Sequence, residues 1–533
     1  MARNVRIDDH ADWSGGINLR ADGFSLAPNE SPDMLNVDVD GRGGFRLRNG
    51  VAPLNTTALG SAPNGLWVYE GNPGSGIAHI MTAYGTKLAY STGGAAFTDV
   101  AAITQTTGLK TVAAVAQGKC YIQNGTDVPK RWDGTTGTAL GVTFNDNLTA
   151  PNGGDMPIAK CIAYHLGHMW VANTTESATA YPSRVRFSHP TNVANTMGPE
   201  DWRTDDYFDL DIGTDGDEIV ALVPFQERLF VFKRKSIYMV VGVDESDFQV
   251  VTVSRSAGAI GQQAVVATEQ GIFFFDWPTG VHVLRGNAPE YVFSNLRPAI
   301  DEGSIPDTYS SGICLGYSAR RVYVSVPWGS STKNARTFVY DTTIGKSGSW
   351  MVYDLPLGVM AEYKPKDTGS QLFAIDASTA ASRGLRVLKL NQISQPHDNF
   401  GLGTTVAISS YLVTPWYEQG SPAVKKKYRR PIIVASDQAE GVIVVDVFKD
   451  FDGFTRTSTF NLDTDAVGAV LVWDTGQWDV DSWGASTVDR DTAMVGQPLG
   501  LGRAVQLKFT GPTAKVPWAI RSLSLIFIPR RVR

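Results

Sequence analysis

Short runs of apolar, strand-forming residues recur through the first 390 positions, and each run follows a polar or glycine-containing turn. The runs are TKLAY, GKCYIQ, GHMWVA, ERLFVF, QGIFFF, RRVYVSV and SQLFAI. Their first apolar positions lie 32, 49, 60, 43, 50 and 50 residues apart, by difference of the numbers of Leu88, Cys120, Met169, Leu229, Ile272, Val322 and Leu372. Most of these steps are close to the ~40 to 50 residues of one β-propeller blade.

A second apolar strand precedes these anchor positions, for example at 112–115, 161–164 and 220–223. Each unit therefore contains a β-hairpin, and a ring of such units buries the faces that one hairpin leaves exposed. We predict an all-β protein with a six- or seven-bladed β-propeller, and two successive β-sandwiches are the alternative. Because the first step of 32 residues is short for a blade, we expect a strand from elsewhere to complete the ring near its start. The N-terminal run ending at Gly50 is the candidate.

The pattern of residues along the chain changes near Leu390. The stretch NQISQPHDNFGLG is rich in Asn, Gly and Pro and reads as a linker. Longer apolar or alternating strands follow at 404–416, 430–435, 442–448, 469–473, 504–509 and 520–528. They predict a C-terminal, jelly-roll-like β-sandwich. The expected domains are an N-terminal extended arm and hairpin at 1–50, a propeller at 51–398 and a sandwich at 399–533.

Composition narrows the class of protein. The 533 residues are 43% hydrophobic and 19% charged, with 54 glycines, as expected for a soluble, turn-rich chain. The net charge of -6 argues against sequence-specific nucleic-acid binding. No apolar run approaches the ~18 residues of a membrane span, so no membrane insertion is expected. The start MARNVRIDDHADW lacks the apolar stretch of a secretory signal, so we expect assembly in the cytoplasm. The widely spaced Cys120, Cys161 and Cys314 are expected to be reduced core residues.

The stretch SPDMLNVDVDGRGGFRLRNG, at 31–50, combines an acidic strand pattern, a glycine turn and a basic strand pattern. Its N-x-D-x-D-G start matches a calcium loop, but Leu47 stands where the closing carboxylate belongs. The alternation predicts strands at 34–39 and 45–47 around a turn at 40–44, with Asp38 opposite Arg46. Four charged residues of this hairpin are predicted to contact a neighbouring subunit: Asp38, Arg42, Arg46 and Arg48.

Candidates for a metal site or an active site are few. An acidic stretch at 200–218 holds four aspartates that could ligate a hard cation, although a solvated acidic loop is the simpler interpretation: Asp209, Asp211, Asp215 and Asp217. The phosphate-loop fragment DTTIGKS follows Tyr340 where the first glycine is needed. Neither G-x-S-x-G nor H-E-x-x-H occurs. We therefore predict no catalytic residues and no cofactor, with a glycoside hydrolase as a remote alternative.

Tryptophans offer a different chemistry. Trp473, Trp478 and Trp483 recur every five residues in VWDTGQWDVDSW. Exposed indole faces stack on sugar rings, whereas buried indoles only fill a core. Both interpretations stay open, so a host-surface glycan is an alternative partner.

Three segments resemble virion proteins of tailed bacteriophages that contain a propeller. The pattern WSGGINLRADGFSLAPNESPDMLNVDVDGRGGFRLRNG contains their G-G-x-N element, N-V strand, glycine turn and R-x-G ending before the blades. RVRFSHPTNVANTMGPEDW is similar to an inter-blade segment of the group. VWDTGQWDVDSW and LGLGRAVQLKFTG are similar to their C-terminal domain. The segments touch all three parts of the chain.

The resemblance implies a non-enzymatic structural role in the virion tail, at the nozzle, the tip or an adaptor. Such proteins form rings around the DNA path and carry fibres or spikes. The expected partners are further copies of the same chain in a cyclic homo-oligomer, other tail proteins and fibres. A carbohydrate-binding propeller that recognises the host and a protein on the capsid exterior are the alternatives.

Overall fold

The computed structural model describes residues 5–23, 25–71, 78–93, 96–146, 153–190, 198–210, 217–344, 348–365, 369–380, 383–393, 395–437, 441–453, 455–463 and 490–530. Nearly all regular structure in these ranges is β-strand, as the sequence predicted. The helical part consists of α1 (Pro298–Asp301) and of short 3₁₀ turns at Gln262–Ala264, Ser294–Leu296 and Asp307–Gly312. Within the described ranges, no helix has the length and apolar character needed to cross a bilayer.

The N-terminal segment contains short strands that do not form a sheet of their own. They are β1 (Arg6–His10), β2 (Gly16–Ile17), β3 (Glu30–Ser31), β4 (Asp33–Leu35), β5 (Val37–Val39), β6 (Phe45–Leu47) and β7 (Gly50–Pro53). The predicted hairpin is present, since β5 pairs antiparallel with β6 and Asp38 lies opposite Arg46 in the register. Asn36, with φ of 55°, separates β4 from β5.

Antiparallel sheets, here called sheets 1 to 7, follow one another through the middle of the described chain. Sheet 1 contains β8 (Pro63–Glu70), β9 (Ala78–Tyr84), β10 (Lys87–Ser91) and β11 (Thr98–Asp99), and sheet 2 contains β12 (Val112–Ala116), β13 (Lys119–Gln123), β14 (Lys130–Trp132) and β15 (Gly137–Ala139). Sheet 3 contains β16 (Ile158–His165), β17 (His168–Glu176), β18 (Thr179–Phe187) and β19 (Tyr207–Asp209), and sheet 4 contains β20 (Ile219–Phe225), β21 (Arg228–Lys233), β22 (Ile237–Val241) and β23 (Gln249–Ser254).

The remaining sheets of this series have the same order. Sheet 5 contains β24 (Val265–Thr268), β25 (Gly271–Asp276), β26 (Gly280–Arg285) and β27 (Ala288–Tyr291), and sheet 6 contains β28 (Cys314–Ser318), β29 (Arg321–Pro327), β30 (Asn334–Asp341) and β31 (Ser349–Tyr353). Sheet 7 contains β32 (Leu357–Tyr363), β33 (Gln371–Asp376) and β34 (Val387–Gln392), and β7 adds its fourth strand beside β34. In each sheet, strands that follow one another in the chain lie side by side.

The turns between the first two strands explain the sequence repeat. In sheets 2 and 3 these turns place two residues at positive φ, Gln117 and Gly118 (50° and 70°) and Leu166 and Gly167 (49° and 81°). Two consecutive residues at positive φ define the type I′ turn, whose twist suits a tight hairpin. In sheets 2 and 3 the polar or glycine turn before the apolar run is therefore the hairpin between the first two strands, whereas the first run, with Leu88, is the third strand of sheet 1.

The sheets are arranged as in a β-propeller, as predicted. The first strand of each sheet lies against the first strand of the next, and β32 of sheet 7 lies against β8 of sheet 1. Both faces of a sheet are consequently covered, as in β25, where Ile272, Phe273, Phe274 and Phe275 are all fully buried. The three cysteines are buried and unbonded, as expected, and burial raises the pKa of each thiol to about 12.

The strand that comes from outside the repeat joins a different sheet from the one expected. Sheet 1 has its own strands β8 to β11, so the short first step needs no outside strand. Sheet 7 instead takes β7, with Pro53 opposite Leu388 and Ala52 opposite Lys389. The N-terminal and C-terminal ends of the repeat region thus meet in one sheet.

Two further sheets contain most of the C-terminal strands. These strands, with a separate β35–β36 pair, are β35 (His397–Asn399), β36 (Thr405–Ala407), β37 (Tyr411–Val413), β38 (Lys426–Tyr428), β39 (Ile432–Asp437), β40 (Val442–Lys449), β41 (Ser458–Asp463), β42 (Arg490–Val495), β43 (Gly500–Gly502), β44 (Val505–Thr510) and β45 (Ala519–Pro529). Sheet 8 has the order β42-β39-β45-β38-β43, with β1 and the β5–β6 hairpin also joined through β45. Sheet 9 has the order β4-β37-β44-β40-β41.

The N-terminal segment connects the propeller to sheets 8 and 9. β1 and β6 pair with β45, and β4 pairs with β37. β2 and β3 extend sheet 6 beside β31, and β7 completes sheet 7. Residues 5–53 are thus part of four sheets, two in the propeller and two beyond it.

Gly16 provides a test of this connection, because its φ of +65° and its close packing both require glycine. A Cβ at this position would overlap the Trp350 carbonyl oxygen and the Ser349 hydroxyl of β31. Gly286 is a matched control, since it has φ of +66° with open space around it.

We expect Gly286→Ala to lower the free energy of unfolding by about 1 kcal/mol, from the left-handed backbone alone. Gly16→Ala should lower it by more than about 2 kcal/mol, since a steric overlap is added. Urea unfolding of both variants measures the difference, and equal losses would show that β2 is not packed against β31 as described.

Candidate functional site

A buried polar cluster lies where the N-terminal hairpin, the last propeller sheets and the C-terminal strands meet. We call it the joint and define it by Asn36, Asp38, Arg48, Arg321, Tyr353 and Asp398. These residues come from the N-terminal segment, from sheet 6 and from β35. Asp38 and Arg48 are only 1% and 2% exposed, so their charges must be satisfied inside the protein.

Asn36 links three parts of the molecule. Its backbone N–H donates to the Val352 carbonyl of sheet 6 at 2.8 Å, and its side-chain amide donates to the Ser409 carbonyl at 2.7 Å. Its side-chain oxygen accepts hydrogen bonds from Arg48 Nε and from the Asp354 backbone N–H, both at 2.9 Å. Asparagine suits this position because it tolerates positive φ and both donates and accepts.

Arg48 and Asp398 form a buried bidentate ion pair. The two terminal guanidinium nitrogens donate to the two carboxylate oxygens at 2.9 and 2.6 Å. The Val51 backbone N–H also donates to Asp398, at 3.3 Å, at the start of the strand that completes sheet 7. Bidentate geometry makes such pairs both strong and orientation-specific. The pair therefore ties the predicted linker to the hairpin and to the propeller.

Asp38 makes the second ion pair of the joint, with sheet 6. Arg321 donates to Asp38 Oδ2 at 2.9 Å and to Asp341 at 3.0 Å, and the Tyr353 hydroxyl donates to Asp38 Oδ1. Burial, and then the Asp38 carboxylate, raise the pKa of Tyr353 well above its ordinary value. The phenol therefore stays protonated and serves as a donor to the buried carboxylate.

These contacts correct part of the sequence prediction. Asp38 and Arg48 are not surface charges available to another subunit, because both are buried in ion pairs within this chain. Asp38 lies opposite Arg46 as predicted, but its carboxylate is bonded to Arg321 and Tyr353. Arg42 and Arg46 are exposed, and their role in assembly stays a prediction.

The described aspartates of the predicted cation site are held by protein groups. Arg184 donates to both carboxylate oxygens of Asp209 at 2.7 Å, and its guanidinium lies between the rings of Tyr181 and Tyr207. The Asp217 carboxylate accepts a hydrogen bond from the Ser236 hydroxyl at 3.0 Å. Within the described ranges, His, Cys, Asp and Glu side chains nowhere form a group of three suited to a metal ion.

Other predicted site residues lie outside the described part of the chain. These are Asp211 and Asp215 of the acidic stretch and Trp473, Trp478 and Trp483 of the proposed glycan surface. Sequence reasoning missed Arg321, Tyr353 and Asp398. Only Asp398 lay in a segment with a visible signal, the polar linker PHDNFG.

Comparisons with known proteins concern the fold. No family model and no curated protein matches the chain. Among solved structures, a streptogramin B lyase is 11% identical, with a TM-score of 0.38, and the match covers 64% of this chain and 98% of that one. YCF48 bound to D1 peptide is 8% identical, with a TM-score of 0.39 and coverage of 68% and 100%. The β-propeller domain of Cps50 (Swd1) from Myceliophteria thermophila is 9% identical, with a TM-score of 0.38 and coverage of 64% and 99%. At these values no function transfers to this chain.

The ion pair between Arg48 and Asp398 can be tested by removing one charge at a time. Arg48→Met leaves the Asp398 carboxylate buried without its partner, and we expect a loss of about 3 to 5 kcal/mol in the free energy of unfolding. Adding Asp398→Leu should recover part of that loss, because no unpaired charge remains.

Arg46→Met is the control, since Arg46 lies in β6, two residues before Arg48, but is exposed. Its effect should stay within about 0.5 kcal/mol. Urea unfolding measures all three variants. Equal losses for Arg48→Met and Arg46→Met would contradict the assignment of a buried ion pair.

Proposed function

We propose that sheets 1 to 7 form one closed, seven-bladed propeller and that sheets 8 and 9 form a β-sandwich. The contact of β32 with β8 and the pairing of β7 with β34 support a closed ring. The sandwich is supported by Phe45 of sheet 8, whose ring lies edge-on to Phe509 of sheet 9 with centroids 5.7 Å apart. Trp518 adds a hydrogen bond at 2.9 Å to Ser410, just before β37.

We propose further that the protein is a non-enzymatic structural component of a tailed-bacteriophage virion. One observation carries this proposal: the motif residues behind the resemblance build the connection between the propeller and the C-terminal sheets. In the G-G-x-N element, Gly16 packs against Trp350, and Asn18 accepts hydrogen bonds from the Arg20 and Ala21 backbone at 2.9 and 3.1 Å. The N-V strand begins at Asn36.

The R-x-G ending has the same location. Arg48 supplies the buried ion pair, and a Cβ on Gly50 would collide with the His397 carbonyl. In an exposed loop, Arg48 and Gly50 could be exchanged for other residues, but the contacts at this connection require them. In this chain, the residues that resemble the virion proteins thus lie at the connection between the propeller and sheets 8 and 9, which supports the proposal.

The joint suits a subunit that must transmit load without bending. Four sheets share the N-terminal segment, so a hinge between propeller and C-terminal domain would break strand pairing and two buried ion pairs. We propose that such subunits form a cyclic ring in the tail, at the nozzle, the tip or an adaptor, around the DNA path. Other tail proteins, fibres or spikes attach to this ring.

Electron microscopy of particles from a phage that encodes this chain tests the proposal directly. We expect a ring of copies in the tail, each copy a seven-bladed disc with an attached second domain. An amber codon at Trp13 should yield particles without this ring in a non-suppressing host and restore it in a suppressing host. Complete, infectious particles lacking the protein would refute the virion role, and a blade count other than seven would refute the architecture.

The exposed arginines of the hairpin provide a test of the subunit contact. We expect Arg46→Glu to reduce ring formation at least about tenfold by reversing a charge at a contact. Arg20→Glu reverses an exposed charge elsewhere in the N-terminal segment and should leave assembly unchanged. Light scattering coupled to size-exclusion chromatography measures the assembled fraction. Equal assembly of both variants would remove Arg46 from the interface.

A further inference from the structure

Two adjoining cavities lie at the centre of the propeller, where the first strands of the sheets meet. The first has a volume of about 250 Å³ and the second about 210 Å³. Val112, Gln262 and Gln263 line both cavities, so the two are neighbours.

The first cavity has a charged wall that we call the basic mouth. It is defined by Lys110, Lys160, Glu218, Arg234 and Ser311. Lys110 precedes β12 of sheet 2, Lys160 lies in β16 of sheet 3, and Ser311 precedes β28 of sheet 6. Glu218 and Arg234 flank β20 and β21 of sheet 4. Charges from distant positions in the sequence are thus brought to one cavity by the arrangement of the sheets.

Glu218 neutralises only part of this charge. Its carboxylate pairs with Lys160 at 2.9 Å and with Arg234 at 2.9 Å, and it also accepts a hydrogen bond from Asn173 at 2.9 Å. Two cations therefore share one carboxylate. Among the described residues of the mouth, three cations face one anion, although the whole chain has a net charge of -6.

Lys110 differs from the other two cations of the mouth. Its ammonium donates to the Ser311 backbone carbonyl, and within the described part of the chain no carboxylate is paired with it. The side chain is open to the cavity, but surrounding protein atoms desolvate it and lower its pKa, and the nearby Arg234 guanidinium lowers it further. Two like charges at one cavity repel each other unless an anion lies between them.

We propose that the basic mouth binds an anionic group through Lys110 and Arg234. The chemistry is that of a compact oxyanion, supplied either by a phosphate group or by a carboxylate. Lysine acts as a point charge towards such groups, and arginine donates from a planar fork. The cavity of about 250 Å³ leaves room for the part of the ligand that carries the anion. This inference does not depend on the virion role and holds for the single chain.

Calorimetric titration of the purified full-length chain with inorganic phosphate, and separately with acetate, tests the proposal. We expect saturable binding of at least one of them at low ionic strength, weakened by added sodium chloride as the charges are screened. Preference for phosphate indicates a phosphate-bearing ligand, and preference for acetate indicates a carboxylate. If neither anion binds with a dissociation constant below about 10 mM, the proposal is overturned. This constant corresponds to a binding free energy of roughly -2.7 kcal/mol.

Variants that are expected to change the anion affinity in opposite directions distinguish binding at this site from nonspecific charge effects. Lys110→Gln should weaken binding at least about tenfold, and Lys110→Arg should retain it. Glu218→Gln should strengthen binding severalfold, because the competing carboxylate is removed. Lys87→Gln is the control, since Lys87 is paired with Asp99 in sheet 1 and is absent from the mouth. Unchanged affinity in Lys110→Gln, or weaker binding in Glu218→Gln, would overturn the assignment.

Discussion

The buried ion pairs of the joint are the constraint on which the connection between the propeller and the C-terminal sheets depends. Arg48, Asp398 and Asp38 are buried, and Arg321 is largely buried, so these charges have little contact with water. Either partner alone would be strongly unfavourable, so each pair requires two distant segments to be in place together. Hydrophobic contact alone would permit several relative orientations of the two parts, whereas bidentate geometry permits one. Orientation of the parts is thus specified by charge and not only by shape.

Much of the fold was predictable because its signals are local. A hairpin turn needs particular residues at positive φ, and an apolar run follows it. Such hairpins can therefore be recognised in the sequence, as at Gln117 and Gly118. The alternation at 34–39 likewise marked a strand, although Asn36 interrupts it. The composition of sheet 7 was harder to predict, because its fourth strand lies far from the other three in the sequence.

The joint and the basic mouth could not be predicted, since their residues meet only after the sheets are in place. Asp38 was predicted to be a solvent-exposed partner of Arg46, because the local sequence pattern indicates only which residues face each other in neighbouring strands. Its true partner, Arg321, is distant in the chain, and nothing in the local pattern indicates the contact. Lys110 and Arg234 likewise belong to no recognisable sequence motif, and only the structure shows that they line the same cavity.

The pairing of β7 with β34 imposes an order on folding during translation. Pro53 and Leu388 lie opposite each other but are 335 residues apart, by difference of their numbers. At ~5 to 20 residues added per second, roughly 15 to 70 s separate their synthesis. Sheets 1 to 6 can each pair their own strands in that interval, while β7 remains an open edge. A chain that ended before residue 387 would therefore retain the strands of sheets 1 to 6 but leave β7 without its partner β34, as an unpaired strand accessible to proteases.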